Sequence, residues 1–235
     1  MYVRGFYFDW LAAAFVRGVR TDPDLAYPPT ETLHLEKALD QLSDQELEDI
    51  VQSGSDLGFR LYRFKRTANL PRVARVLTIL HGIEPTNLLD VGTGRGAFLW
   101  PLLDAFPALP VMAVDKEEDR VKVLRAVNRG GVPRLSSSVE DATRLSFADA
   151  SFDVVTMLEV VEHVAEAMKA LAEAVRVARR FVVISVPLWD DDSLHHVHLF
   201  TPERLAEMLQ LAGASRVTTD VVNHHLIAIG RISRV

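Results

Sequence analysis

The chain has 235 residues, enough for one α/β domain with an extension and a sizeable core. Apolar residues make up 49% and charged residues 25%, which excludes a disordered chain. The 26 Lys and Arg against 32 Asp and Glu leave a net charge of −6, unlike a surface that tracks nucleic-acid backbone throughout; the absence of cysteine excludes disulfides, thiolate metal sites and a Cys nucleophile, and fits a cytoplasmic setting.

Residues 1–83 read as a helical N-terminal cap. The apolar run 6–16 contains Asp9 and is followed by Arg17 and Arg20. Spanning a bilayer takes about 20 apolar residues, so the run is expected as an amphipathic helix packed on the body, with neither a membrane span nor an export signal. Prolines between 23 and 29 end it. The spacing of Leu33, Leu35, Ala38, Leu39 and Leu42 predicts a second helix. Ser43-Asp44-Gln45-Glu46 is a capping box that opens another, ending near Gly54. Pro71 opens a helix through Leu80, with Gly82 as its stop.

From residue 84 to 235 the pattern becomes strand–helix alternation. Strands are expected at 87–91, 111–114, 134–139, 152–158 and 181–186, with a helix at 97–106, one ending at 127 and one at 165–177 between them. A helix at 202–211 with Thr201 as N-cap and a hairpin at 215–222 and 226–232 close the chain. This order means a doubly wound α/β domain, with a seven-stranded, mostly parallel sheet and helices on both faces.

The central motif is Asp90-Val91-Gly92-Thr93-Gly94-Arg95-Gly96, a strand running into three glycines and then a helix. Glycines admit positive φ and close approach of a ligand, and a helix start offers unpaired N–H groups. Asp115 ends the next strand, where an acid can hold a ribose diol. Glu140-Asp141-Ala142 follows the third strand. With these motifs in this order, residues 87–232 resemble the class I S-adenosylmethionine-dependent methyltransferases. The resemblance implies that Gly92, Gly94 and Gly96 surround the amino-acid part of the cofactor, supported by Asp90. It implies that Asp115 holds the ribose hydroxyls, that Lys116 flanks the adenine, and that Asp141, beside Ala142, accepts from the adenine amino group.

After the strand 152–158 comes Glu159-Val160-Val161-Glu162-His163. On a helical turn, Glu159, Glu162 and His163 point one way. Two carboxylates and an imidazole suit a divalent cation such as Mg²⁺ or Mn²⁺, which would lower the pKa of an acceptor hydroxyl. His198, with His195 as an alternative, comes from the next strand's edge and would complete a ligand set of Glu159, Glu162, His163 and His198. The E-x-x-E-H resembles that of ubiquinone-pathway O-methyltransferases and of small-RNA 3′-terminal ribose methyltransferases. The chain departs from the RNA enzymes at Pro187-Leu188-Trp189-Asp190 and at Thr201-Pro202-Glu203. Many superfamily members without metal carry a similar cluster, in which Glu159 would only orient cofactor and helix, leaving His163 or His198 as a plain base.

Arg60, Arg63, Lys65, Arg66, Arg72 and Arg75 form a basic run with interleaved aromatics, suited to a phosphate or a single-stranded nucleic acid, or to a solvated face whose aromatics pack on the core. His224 and His225 lie in the final hairpin turn, on the cofactor edge of the sheet, within reach of the acceptor pocket. The favoured reading is methyl transfer to a small-molecule hydroxyl. An RNA ribose hydroxyl and a non-catalytic cofactor-binding scaffold are its rivals.

Overall fold

The structure, a computed structural model, describes residues 8–25, 27, 31–66, 70–188 and 199–233. Three helices come first: α1 (Asp9–Arg20), α2 (Asp44–Asp56) and α3 (Pro71–Ile83). Alternation then runs β1 (Leu88–Val91), α4 (Leu99–Ala105), β2 (Val111–Asp115), α5 (Glu118–Arg129), β3 (Leu135–Val139), β4 (Phe152–Leu158), α6 (Ala167–Val177), β5 (Ala178–Pro187), α7 (Pro202–Leu211), β6 (Arg216–Val222) and β7 (His225–Arg231).

The strands form one sheet in the order β3-β2-β1-β4-β5-β7-β6, with only β7 antiparallel to its neighbours. The winding reverses between β1 and β4, and a doubly wound sheet binds ligands at the carboxyl ends of the strands there. β1 and most of β4 are buried on both faces, as their near-continuous apolar runs require. Alternate residues face opposite ways. Leu88, Val111 and Val154 pack under α1 to α5, whereas Leu89, Val155 and Ile184 pack under α6 and α7.

The N-terminal helices belong to the first of these layers, and Phe8, Leu11, Ile50 and Val76 share one apolar cluster with Leu88 and Val111 across residue 83. α1 lies on α5 with backbone against backbone: a Cβ added at Gly18 would stand 1.8 Å from the Ala126 carbonyl oxygen, and one at Gly130 would stand 1.7 Å from that of Ala14. Arg129 closes the contact by donating to the Gly18 carbonyl (2.9 Å) and pairing with Asp22 (2.6 Å).

Two expectations need correction. Residues 31–42 hold two 3₁₀ turns, Glu31–Leu33 and Leu39–Gln41, where a helix was expected. His34 has φ +45°, and the Arg17 guanidinium takes the carbonyls of Lys37 (2.8 Å) and His34 (3.4 Å) that helical bonding would use. α3 runs through Gly82 and stops at Glu84, left-handed at φ +50°, because Pro85 disfavours a helical residue before it. Among the described residues, no helix is long and apolar enough to cross a membrane.

Candidate active site

A pocket of ≈360 Å³ opens at the carboxyl edge beside the winding reversal. It is lined by Gly92 after β1, Asp115 and Lys116 after β2, Glu140, Asp141 and Ala142 after β3, and Glu159, Val160 and His163 after β4. Residues read separately from the sequence thus meet in one cavity of the size small ligands occupy.

The carboxylates on the β1–β2–β3 side are each held by named donors. Asp90 lies beneath the loop, 3% exposed, and accepts from the hydroxyls of Thr93 (2.9 Å) and Thr156 (2.8 Å). Burial pushes its carboxyl up to about 6, against the pull of those two hydroxyls. Asp115, also 3% exposed, accepts from the backbone N–H groups of Gly94 (2.8 Å) and Glu117 (3.0 Å), and Arg120 stands 3.1 Å from it. Asp141 accepts from the Thr143 N–H and hydroxyl, both at 2.8 Å, and the backbone bond first, then the hydroxyl, holds it below the usual carboxylate range.

The three glycines differ in task. Gly92 lines the pocket, and a Cβ there would press on Val160 at 2.5 Å. Gly94, at φ +61°, would give a Cβ only ordinary contacts, with the Gly92 carbonyl oxygen at 3.8 Å and Arg120 at 3.9 Å. Gly96 is turned away from the pocket: at φ +84° it sits against the Trp100 indole, which would meet a Cβ at 2.2 Å and which donates to the Arg95 carbonyl (3.0 Å).

The residue set expected for a metal is not assembled. Glu159 terminates β4 in the left-handed region (φ +57°), so the helical face it was to share with Glu162 and His163 does not form. Only Val161–His163 makes a short 3₁₀ turn. Glu159 instead accepts from the Ser185 hydroxyl (2.7 Å), lies 3.0 Å from His225 Nδ1 and stands 4.0 Å from Arg72. Glu162 is 1% exposed, and His163 Nε2 stands 3.9 Å from its carboxylate. Among the described residues, no group of three or more His, Cys, Asp or Glu side chains could hold a metal ion. The geometry therefore does not fit Mg²⁺ or Mn²⁺ on Glu159, Glu162 and His163. His195 and His198 lie outside the described residues.

The basic run is divided among separate partners. Arg66 lies over the Phe8 ring and pairs with Asp104, Arg72 reaches Glu159 and His225, and Arg75 bonds Asp220 (2.6 Å). Phe64 is buried against Trp100, so the packed face is realised here while Tyr62 stays exposed. The sequence reading had not singled out Ser185, Thr156 or Arg120 as site residues, and had placed Arg72 in the basic run and not beside Glu159. Arg120, one turn into the helix after Asp115, was the most accessible of these by spacing.

A doubly wound sheet with a glycine loop after β1 and acids after β2 and β3 is a domain for a nucleoside-bearing cofactor. A nucleoside's donor hydroxyls and amino group match the carboxylates of Asp115 and Asp141, and Val91, Ala142, Val160 and Val164 supply an apolar wall. Residues 89–184 match the protein family described as a methyltransferase domain. The chain carries a class I S-adenosylmethionine-dependent methyltransferase domain. It is similar to malonyl-[acyl-carrier protein] O-methyltransferase of Geobacter sulfurreducens, 33% identical over 105 residues, which cover 44% of this chain and 39% of the relative. It is also similar to ubiquinone biosynthesis O-methyltransferase of Sinorhizobium medicae, 36% identical over 84 residues, or 36% of this chain and 33% of the relative. The matches thus span well under half of these relatives' lengths. Among solved structures, the N-terminal domain of EvdMO1, crystallised in the presence of SAH and D-fucose, superposes with a TM-score of 0.59. That match covers 82% of this chain and 98% of that domain at 15% identity, a likeness of fold alone.

Proposed function

We propose that the chain transfers a methyl group from S-adenosylmethionine to a hydroxyl oxygen of a small molecule. The observation that carries this reading is the convergence of Gly92, Asp115, Lys116, Asp141, Ala142 and Glu159 on one pocket. When bound, S-adenosylmethionine supplies a methyl group activated by its sulfonium. The chain's own residues position the partners and take a proton. Asp115 would hold the ribose hydroxyls and Asp141 the adenine amino group, while Val91 and Val160 exclude water. His163, on the pocket wall and 42% exposed at its side chain, is the base we favour, since its proton can pass on to solvent. A second reading gives that role to His225, because Glu159 lies 3.0 Å from its Nδ1 and would orient the ring. Oxygen is favoured because both relatives named above are O-methyltransferases by name. The pairing of Arg66, Arg72 and Arg75 of the basic run with internal carboxylates takes support away from an RNA acceptor.

Calorimetry with S-adenosylhomocysteine tests the cofactor seat. Asp115→Ala should weaken binding by about 1–3 kcal/mol, the cost of lost charge-assisted hydrogen bonds. Equal affinity in a folded variant would remove Asp115 from the site. Transfer of labelled methyl to a panel of hydroxyl and amine acceptors then tests the acceptor atom. Loss of turnover in His163→Gln but not in His225→Gln would assign the base.

A further inference from the structure

A second pocket, of ≈210 Å³, lies on the other side of the glycine loop. Its walls include Tyr62 and Arg63 from the N-terminal region, Arg95 from the loop, Trp100 from α4, and Asp119 and Arg120 from α5. Three arginines thus line the pocket with one carboxylate residue, Asp119, which is itself engaged by Lys122 at 3.0 Å, while Arg120 leans on Asp115 at 3.1 Å. Arg63 donates its Nε–H to the Arg60 carbonyl (3.2 Å) and lies over the Phe15 ring (5.7 Å), and neither contact cancels a unit charge. Burial lowers its pKa, Tyr62 opposes that, and the charges of Arg60 and Arg95 add a smaller push down.

We infer that Arg63, Arg95 and Arg120 form a binding site for a phosphoryl dianion, and that this anion and the cofactor strengthen each other's binding through Arg120. Planar guanidinium forks match phosphate oxygens, and several of them around one cavity favour a dianion over a carboxylate. The link to the cofactor is geometric. Arg120 lines both pockets, and its Nη1 stands 3.1 and 3.4 Å from the two Asp115 oxygens. Those oxygens already accept from Gly94 and Glu117, so Arg120 competes with a ribose diol for the same carboxylate. An anion in the second pocket draws the guanidinium toward itself and leaves Asp115 to the diol. Coupling of this kind is reciprocal. The coupling rests on the reading of Asp115 as the ribose acid; the anion site itself does not.

The test is calorimetry of S-adenosylhomocysteine with the full chain at matched ionic strength, in chloride, in inorganic phosphate, and in glycerol 3-phosphate. Phosphate should tighten binding about 5–20-fold, within the range of ordinary coupling between sites. An equal effect of both phosphates assigns the site to a phosphoryl group on a larger molecule, and an effect of inorganic phosphate alone assigns it to the free ion. Arg63→Gln should bind S-adenosylhomocysteine as the wild type does in chloride and lose the phosphate effect. Arg95→Gln, which leaves the Phe15 packing alone, replaces it if that variant melts early. Affinity that is unchanged or lowered by phosphate overturns the inference, as does a full phosphate effect in Arg63→Gln or in its Arg95→Gln substitute. If Asp115→Ala binds as tightly as the wild type, the ribose reading has failed; if Asp115→Ala weakens binding and phosphate is silent, only the anion coupling has.

Discussion

The two halves of the carboxyl edge are built on different principles. On the β1–β2–β3 side, each acid takes a donor from its own segment: Asp90 from Thr93, Asp115 from the Glu117 N–H and Arg120, and Asp141 from Thr143, with one further bond each to Asp90 from Thr156 of β4 and to Asp115 from the Gly94 N–H. On the β4–β5–β7 side, Glu159 is fixed by three separate elements, through Ser185 of β5, His225 of β7 and Arg72 of α3. The first half is built mainly on turns, tied across by those two bonds. The second exists only when the whole sheet and α3 are in place. A locally built seat holds the part of a cofactor that never changes, whereas a seat assembled from distant elements is free to vary with the acceptor.

Substitutions that strike one half and spare the other sharpen this contrast. The largest effect is expected at Gly96. Gly96→Ala combines a left-handed residue with a Cβ only 2.2 Å from Trp100. Strain and overpacking together should cost about 3–5 kcal/mol of stability in denaturant unfolding. A loss under ~1 kcal/mol would mean that the loop yields and is not locally fixed.

Next comes the pH response of Asp90. Its carboxyl is raised from the ordinary 3.8 to about 6 in the folded chain, so between those values the native state binds the proton more tightly than the unfolded one. Stability from this group is therefore present below the window and lost as pH rises through it, by an amount of order 3 kcal/mol. Asp90→Asn does not titrate. The stability difference between wild type and variant, followed by urea unfolding across the window, should move by that amount in the variant's favour. A constant difference would show that Asp90 ionises normally.

The smallest effect belongs to the other half. Ser185 is fully buried, and Ser185→Ala removes its bond to the Glu159 carboxylate. Stability should fall by about 1–2 kcal/mol, with affinity for S-adenosylhomocysteine held within about twofold if the halves are independent, since twofold is only ~0.4 kcal/mol. A parallel loss of cofactor affinity would join the two halves into one unit.

The same contrast explains what could be read from the chain before its structure. Gly92, Asp115 and Asp141 follow strand ends and do line one pocket, as the ordered motifs and the family resemblance led one to expect, and the sheet with its closing hairpin followed from strand–helix alternation. Glu159 misled, because Glu-x-x-Glu-His has helical spacing while Glu159 itself takes a left-handed conformation that no spacing reports. Its contacts with Ser185, His225 and Arg72 lie between residues far apart in sequence, and local patterning is blind to them. The expected helix at 31–42 failed for a related reason, since a distant arginine, Arg17, took its carbonyls.

The backbone contact of α1 with α5 also sets an order in time. Gly18 and Arg129 meet across 111 residues of chain. At a synthesis rate of about 5–20 residues per second, α1 waits roughly 5–20 s on the ribosome before the helix it fits has been made. Within that interval α2, Phe59 and Phe64 are made and cover part of the apolar face of α1, Val16 against Gly54 and Phe15 against the two rings, while the rest waits for α5. A nascent chain thus seats α1 in two stages, first on α2 and its neighbours and only 111 residues later on α5.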